Sequence, residues 1–302
     1  MGENELWTVE NMQRVGYCFG QKVPYTCPIR REENLLTTDL SFLDRPEVLE
    51  IVFPVVYSPF LPDDVSFSPP PEPFYSIEVE EGTKIDCGFW VSGKQAPTIL
   101  YFHGNGETVV TCDWIAPFYN QRRINLFVAD YRGYGSSNGK PTVSNMIGDA
   151  HTIFRGFRRI IEKQGFGDSL FVMGRSLGSI PAIEVAFSYQ DDIRGLIIES
   201  GTANNFRRLW DYLETAETRT VLSEESLFLN KVKVRQIRKP TLIIHGQHDQ
   251  LISVQEGEEL YRNSGAQEKS ILIVPGADHN DVMIVEQSLY FDTIEEFVKT
   301  YG

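Results

Sequence analysis

A serine, an aspartate and a histidine in the second half of this 302-residue chain have the chemistry needed for nucleophilic acyl transfer. Ser176 is the centre of a Gly-x-Ser-x-Gly motif at residues 174–178. A short apolar run with strand character precedes the motif and a helical pattern follows it, and this context predicts a nucleophile elbow. A serine hydroxyl attacks a carbonyl only when a histidine takes its proton and a carboxylate orients that histidine. The chain must therefore also supply a base and an acid.

The best candidate for the base is His279, one of five histidines in the chain. It lies in the polar loop at residues 275–281, directly after the last apolar strand. His103 and His245 stand at the ends of predicted strands, and His151 lies within a predicted helix. Those three positions favour structural roles.

The predicted acid is Asp249, which follows the preceding apolar strand in the loop at residues 246–250. Its neighbour His248 is expected to point away. Glu199, at the end of another strand, and Asp278, beside the histidine, are the alternative acids.

The tetrahedral intermediate needs two backbone donors, because losing one such donor typically costs about 10²–10³ in rate. The N–H of Leu177, next after the serine, is one candidate. Asn105 is the other, with Gly106 as its alternative, because both lie in a glycine-flanked loop that follows an apolar strand. The loop lacks the lysine of a phosphate-binding P-loop, which argues against nucleotide binding. No metal and no cofactor is expected.

The elements that would position these residues form an α/β pattern. Six short, nearly all-apolar runs are separated mostly by helical segments, which predicts a parallel sheet covered on both faces. The runs lie at residues 98–102, 125–131, 169–173, 195–198, 241–244 and 270–274. A β-hairpin at residues 76–91 brings the total to eight strands. Apolar residues at a 3.6-residue period predict a covering helix over residues 141–161.

An insertion at residues 201–239 interrupts this alternation with about two helices' worth of sequence. It would lie over the strand ends, where ligands bind in open α/β folds, so we predict a small lid. Its Trp210 and Phe228 are candidates for lining an acyl pocket, and core packing is the equal alternative.

The first 73 residues are predicted to be an N-terminal extension to a domain at residues 74–302. Residues 47–53 have the pattern of a short capped helix. Residues 54–73 are so rich in proline that we predict an extended, polyproline-like connector with no helix.

The composition excludes several functional classes. A net charge of -14 argues against nucleic-acid binding and against docking on an anionic membrane. The start of the chain has no signal-peptide pattern and no apolar run is long enough to span a bilayer, so we expect a cytoplasmic protein without stable membrane insertion. The four cysteines, Cys18, Cys27, Cys87 and Cys112, are expected to be reduced thiols, with a Cys18–Cys27 bridge as the alternative in an oxidising compartment.

Five motifs, in order, resemble those of the α/β-hydrolase superfamily. They are YFHGNGET, VADYRGYGSSNGKP, VMGRSLGS, IIHGQHDQLIS and PGADHND. Within it the chain is similar to the serine-hydrolase branch that includes ABHD-type protein depalmitoylases and their bacterial relatives. The order serine, aspartate, histidine is also that of α/β-hydrolases, and it differs from the chymotrypsin and subtilisin orders.

The resemblance implies an eight-stranded α/β-hydrolase fold over about residues 75–302. It also implies a triad of Ser176, His279 and Asp249, oxyanion donors at Asn105 and Leu177, and a supporting turn at residues 130–135. The chain differs from the depalmitoylases at the N-terminus. They carry clustered, lipidated cysteines there, and this chain has only Cys18 and Cys27, which are not clustered.

The sequence therefore predicts a serine hydrolase that cleaves an ester or thioester of a small-molecule or acyl substrate through an acyl-enzyme. A serine aminopeptidase or amidase is the weaker enzymatic alternative. A binding module on an inactive hydrolase scaffold is the alternative from another class.

Overall fold

A computed structural model describes residues 39–57, 74–210, 219–220 and 222–302. The predicted Cys18–Cys27 alternative and most of the proline-rich connector lie outside these residues. The described residues, from Asp39 to Gly302, belong to one compact unit.

Eight strands form one sheet in the order β1-β2-β4-β3-β5-β6-β7-β8. The strands are β1 (Phe74–Glu80), β2 (Thr83–Trp90), β3 (Thr98–Phe102), β4 (Asn125–Ala129), β5 (Leu170–Arg175), β6 (Gly195–Glu199), β7 (Thr241–Gly246) and β8 (Lys269–Val274). The β1–β2 hairpin and the β2–β4 pair are antiparallel, and β3 to β8 pair in parallel. This mostly parallel, eight-stranded sheet confirms the predicted fold class.

Helices cover both faces of the sheet. In the described part of the chain they are α1 (Pro46–Val52), α2 (Pro54–Tyr57), α3 (Ala116–Gln121), α4 (Val143–Gln164), α5 (Ser179–Ser188), α6 (Arg207–Trp210), α7 (Asn230–Val234), α8 (Val254–Asn263), α9 (Val282–Val285) and α10 (Gln287–Tyr301). Short 3-10 turns occur at residues 41–44, 110–114, 176–178 and 190–192. The two predicted lid helices correspond in part to α6 and α7.

The longest helix, α4, begins and ends where its sequence provides caps. The Thr142 side chain accepts a hydrogen bond from the Asn145 N–H, and the Asn145 side chain bonds back to Thr142, which makes a capping box. Gly165, with a φ of 69°, closes the helix in the left-handed conformation that glycine adopts without strain. Most of the predicted apolar face is buried. The helix begins two residues later and ends three residues later than the predicted range 141–161.

Two apolar cores lie on opposite faces of the sheet. Side chains alternate along β3, so Leu100 and Phe102 join one core while Ile99 and Tyr101 join the other. All five residues of β3 are buried. Continuous burial of this kind is what a parallel sheet covered on both faces requires.

Residues 54–57 correct one prediction. They form helix α2, whereas the prolines predicted an extended chain that could not be helical. The reason is that Pro54 stands at the first helical position, where the missing N–H would have no partner inside the helix anyway. Tyr57, at the end of α2, donates a hydrogen bond from its hydroxyl to the Pro141 carbonyl at 2.8 Å.

None of the helices in the described residues is long and apolar enough to cross a membrane.

Candidate active site

The serine turn follows β5 directly and is strained. Ser176 has a φ of 52°, in the left-handed region that non-glycine residues rarely occupy. A Cβ atom on Gly174 would lie 2.2 Å from the Gly178 carbonyl oxygen, and one on Gly178 would lie 2.1 Å from the Phe102 carbonyl oxygen. Only glycine at both positions lets the chain turn this sharply and lie against β3.

Ser176, His279 and Asp249 form a continuous hydrogen-bonded chain. The Ser176 hydroxyl oxygen lies 2.9 Å from Nε2 of His279. Nδ1 of His279 lies 2.7 Å from Oδ2 of Asp249. All three side chains are buried. The serine can therefore pass its proton to an imidazole that a buried carboxylate orients.

The three residues meet because they follow the carboxyl ends of parallel strands. Ser176 follows β5, Asp249 follows β7, and His279 follows β8, all in the same sheet. The carboxyl ends of these strands lie at one edge, and the connecting loops turn inward there.

Asp249 is held in its ionised form by several donors. Its Oδ1 accepts hydrogen bonds from the N–H groups of Leu251 at 2.9 Å and Ile252 at 2.8 Å. Burial alone would raise the pKa of Asp249, but hydrogen bonds from His245 and His279 outweigh it and hold that pKa well below its usual range. The carboxylate is therefore charged wherever the protein is folded near neutral pH.

His245 takes part in this arrangement, although its place in a strand predicted only a structural role. Its Nε2 lies 2.8 Å from the Ile252 carbonyl oxygen and 3.3 Å from Oδ2 of Asp249. The same carboxylate oxygen thus faces two imidazoles. The position of His245 at the end of β7, four residues before Asp249, was the signal available in the sequence.

The two alternative acids have other partners. Oδ1 of Asp278 accepts from the N–H groups of Gln250 at 3.1 Å and His279 at 2.7 Å, so this side chain supports the loop backbone. Glu199 is buried against Arg175 and accepts a hydrogen bond from Tyr290 at 2.7 Å. His248 is exposed. Asp249 is the acidic side chain that lies against the His279 ring.

Arg175, between Gly174 and Ser176 in the serine motif, is a site residue that the sequence did not predict. Its guanidinium donates to Glu199 at 3.2 Å and to Glu107 at 2.7 Å. It also donates to the His279 carbonyl at 2.9 Å and to the Asn280 side chain at 3.2 Å. One buried side chain therefore links the serine turn to the loop of the histidine and to the loop after β3.

The loop after β3 lies against the serine turn, as the close approach of Gly178 to the Phe102 and His103 carbonyls shows. Asn105 is in this loop, and Leu177 is in the 3-10 turn that begins at Ser176. The two predicted oxyanion residues therefore belong to adjoining segments of backbone.

The turn at residues 130–135 supports this loop. Oδ1 of Asp130 lies 3.1 Å from Nε2 of His103 and accepts from the Val109 N–H at 2.7 Å. The Tyr131 hydroxyl donates to the His103 carbonyl at 2.7 Å, and the Tyr134 hydroxyl donates to Oδ1 of Asn105 at 2.6 Å. His103 thus has a structural role beneath the site.

The two pocket candidates lie in the insertion. Phe228 is 2% exposed and packs near Phe206 in the larger apolar core. Trp210 is the last residue of α6, and its side chain lies outside the described residues. The backbone at the start of the insertion is held by α8. Buried Glu256 on that helix accepts hydrogen bonds from the N–H groups of Ala203 at 2.8 Å and Asn204 at 2.9 Å.

Within the described residues, no group of three or more His, Cys, Asp or Glu side chains is arranged to hold a metal ion. Cys87 and Cys112 are free thiols, and burial raises the pKa of each well above its usual value. Both are poor nucleophiles for that reason. Cys18 and Cys27 lie outside the described residues.

Comparison with known proteins identifies the family. A model of the family described as serine aminopeptidase, S33 (Hydrolase_4), matches residues 93–219 and 229–284, more than half of the chain. The chain belongs to this family. It is a hydrolase of the α/β fold and of ABHD type.

Two curated relatives and two solved structures agree with the family. Alpha/beta hydrolase domain-containing protein 17B of Homo sapiens is 28% identical over 230 residues, which cover 74% of this chain and 74% of the relative. The protein of that name from Xenopus tropicalis gives the same identity and coverage, 28% and 74% of each chain.

The two solved structures share the fold, and one of them is named an esterase. Esterase Pf2001 of Pyrococcus furiosus has a TM-score of 0.63 at 18% identity, covering 80% of this chain and 98% of its own. Est1E of Butyrivibrio proteoclasticus, with ferulic acid bound, has a TM-score of 0.60 at 17% identity, covering 75% of this chain and 98% of its own.

Proposed function

We propose that this protein is a serine hydrolase that cleaves a carboxylic ester or thioester through an acyl-enzyme. The observation that carries the proposal is the hydrogen-bonded chain from Ser176 Oγ through His279 to Asp249, which begins at a strained turn. A serine, a base and an acid in this order and geometry are the parts of a catalytic triad.

In the first half-reaction Ser176 Oγ forms a bond to the substrate carbonyl carbon, and its proton moves to Nε2 of His279. Asp249 stabilises the imidazolium without taking the proton. The oxyanion accepts hydrogen bonds from the N–H groups of Asn105 and Leu177. The intermediate then collapses, the bond to the alcohol or thiol breaks, and His279 returns its proton to that leaving group.

In the second half-reaction water attacks the acyl-enzyme. His279 takes a proton from the water as the new carbon–oxygen bond forms, and gives it to Ser176 Oγ as the acyl bond breaks. The products are a carboxylic acid and free enzyme. The reaction consumes only water and substrate. His279 carries each proton between Ser176, the leaving group and water.

An ester or thioester substrate agrees with the esterase among the solved neighbours. The net charge of -14 also favours a small or acyl substrate over a polyanion. The family's description favours a second candidate, release of an amino-terminal residue from a peptide. The two candidates use the same triad and differ in the leaving group, so a substrate panel separates them.

The test is hydrolysis of p-nitrophenyl esters and thioesters with acyl chains from acetyl to palmitoyl, beside aminoacyl p-nitroanilides. Wild type and Ser176→Ala are compared at equal concentrations of folded protein. We expect activity on the esters or thioesters that peaks at one chain length and falls on the order of 10⁶-fold in the variant. Faster hydrolysis of the anilides than of the esters would favour the aminopeptidase hypothesis. Equal rates in both proteins, or none, would contradict a serine hydrolase.

A further inference from the structure

The helix pair α1 and α2, residues 46–57, lies outside the residues 93–219 and 229–284 that the family model matches. It nevertheless belongs to the same compact unit as the sheet. Phe53, between the two helices, is 0% exposed and lies in the core that also contains Phe102 of β3. The helix pair therefore packs into the apolar core of the domain.

Two polar contacts fix the flanks of the helix pair. Before α1, Oδ1 of Asp44 accepts from the Ser144 N–H in the first turn of α4, at 3.1 Å. After α2, the Tyr57 hydroxyl bonds to the Pro141 carbonyl, just before α4. The pair thus has a defined place beside the start of the longest helix.

The helix pair holds the side chain of the candidate oxyanion residue. Nδ2 of Asn105 donates to the Val52 carbonyl at 2.9 Å. On its other side, Oδ1 of Asn105 accepts from the Tyr134 hydroxyl. Val55 also lies close, since its Cγ2 is 3.7 Å from where a Cβ on Gly106 would stand. Both polar ends of the Asn105 amide are therefore bound.

This anchoring answers a need of the loop itself. Asn105 stands between Gly104 and Gly106, and Gly106 has a φ of 82°. Glycine gives the backbone more conformational freedom than any other residue. Glu107 fixes the first glycine, because its Oε2 accepts from the Gly104 N–H at 2.6 Å. The direction of the Asn105 N–H depends in addition on its own side chain.

We propose that the helix pair is a positioning element of the active site. The Val52 carbonyl holds the Asn105 amide, and this contact sets the direction of the Asn105 N–H toward the oxyanion. The inference rests on the proposed function for its catalytic consequence. The contact itself has a structural consequence that can be measured without any activity.

The first variant is Asn105→Ala, which keeps the backbone N–H and removes both side-chain bonds. We expect kcat to fall about 10–100-fold, somewhat less than the 10²–10³ for loss of a whole oxyanion donor, because the N–H remains but is misdirected. KM should change little, since the oxyanion forms only in the transition state. Tyr134→Phe keeps the Val52 bond and should have a smaller effect on kcat.

The matched control is Asn120→Ala. The Asn120 side chain likewise makes two hydrogen bonds, both donated by Nδ2, to the backbone carbonyls of Trp90 at 3.2 Å and Ile124 at 3.0 Å. These lie at the amino ends of the parallel strands, opposite the active site. Asn120→Ala should lower stability and leave kcat unchanged.

The second variant, Phe53→Ala, removes a buried side chain of the helix pair and leaves the Asn105 side chain intact, and Phe53→Leu serves if the alanine variant does not fold. If the pair acts through Asn105, Phe53→Ala should lower kcat in the wild type but not further in Asn105→Ala. Hydrogen exchange should also become faster at the amides of residues 104–107 in both variants.

The outcomes are distinct. Wild-type kcat per folded molecule in Asn105→Ala, or unchanged exchange at residues 104–107 in Phe53→Ala, would overturn the inference. A full additional loss of kcat from Phe53→Ala in the Asn105→Ala background would also contradict it. An inactive wild type would overturn the proposed function alone, because the exchange measurement would still decide whether the helix pair holds the loop.

Discussion

At the scale of single residues, Arg175 carries more of the site than its place in the serine motif suggests. It is 5% exposed and lies between two carboxylates, Glu199 and Glu107. Burial works against its charge, but these two carboxylates outweigh burial and raise the pKa of the guanidinium above its usual range. Burial in turn raises the pKa of Glu199. Arg175 partly offsets this effect of burial, so the guanidinium favours the ionised form of Glu199.

Arg175→Met should be strongly destabilising, because it leaves buried Glu199 without its counter-ion. Removing one partner of a buried ion pair typically costs about 3–5 kcal/mol. The free energy of unfolding in urea measures the effect. Arg262→Met is the control, since Arg262 and Glu258 form an exposed pair on α8, and such pairs contribute about 0–1 kcal/mol. Equal losses in the two variants would contradict the assigned role of Arg175.

At the scale of elements, the site depends on how closely the serine turn lies against β3. The register of β3 and β5 places Phe102 beside Gly174. The turn after β5 then brings Gly178 against the Phe102 carbonyl. Two strands, one turn and the loop after β3 thus share one tight contact. Any side chain at Gly178 must push these elements apart.

Gly178→Ala should therefore lower both stability and activity, since its Cβ would meet the Phe102 carbonyl oxygen at 2.1 Å. The control is Gly148→Ala on α4, where an added Cβ meets no atom within 4 Å. Gly148 is exposed in a helix interior, so that variant should gain about 0.5–1 kcal/mol. Thermal unfolding of both variants checks the pair. A stable Gly178→Ala variant with wild-type activity would contradict this account.

The sequence predicted the elements that have regular patterns. The apolar runs placed β3 to β8 to within a few residues, and the turns after β5, β7 and β8 led to Ser176, Asp249 and His279, which the structure brings together. The partners of Arg175 could not be predicted, because Glu107 and Glu199 are 68 and 24 residues away and meet it only through the strand order. Helix α2 was missed because Pro54 is compatible with an extended chain and with a helix start alike.

At the scale of the whole molecule, a second buried ion pair joins the covering helices. Glu184 of α5 contacts Lys233 of α7 and lies 3.3 Å from Nε2 of His151 on α4. Burial would raise the pKa of Glu184, but Lys233 and His151 together lower it from 4.5 to about 2. The Glu184 carboxylate therefore connects three helices, because its own helix is α5 and its two partners lie on α4 and α7.

This carboxylate makes stability depend on pH below neutrality. A depressed pKa stabilises the folded state above pH 4.5, and the stabilisation is lost as the pH falls toward 2. A shift of this size corresponds to roughly 3 kcal/mol. Glu184→Gln should therefore be less stable at neutral pH and lose less stability on acidification. Urea unfolding between neutral and acid pH measures both.

Ser188→Ala is the control for that experiment, because it removes a hydrogen bond to Glu184 at 3.1 Å without removing a charge. Its stability curve should lie slightly lower and keep the wild-type slope. A wild-type slope in Glu184→Gln would contradict the assigned linkage.

The most direct test of the central claim is whether Ser176 is an activated nucleophile. Wild type, Ser176→Ala and His279→Ala are treated with a fluorophosphonate probe, and intact mass and peptide mapping locate the adduct. We expect one adduct on wild type, located at Ser176, none on Ser176→Ala, and labelling of His279→Ala slower by several orders of magnitude, because the hydroxyl then has no base. Folded wild type that remains unlabelled, or Ser176→Ala labelled as fast as wild type, would contradict the account.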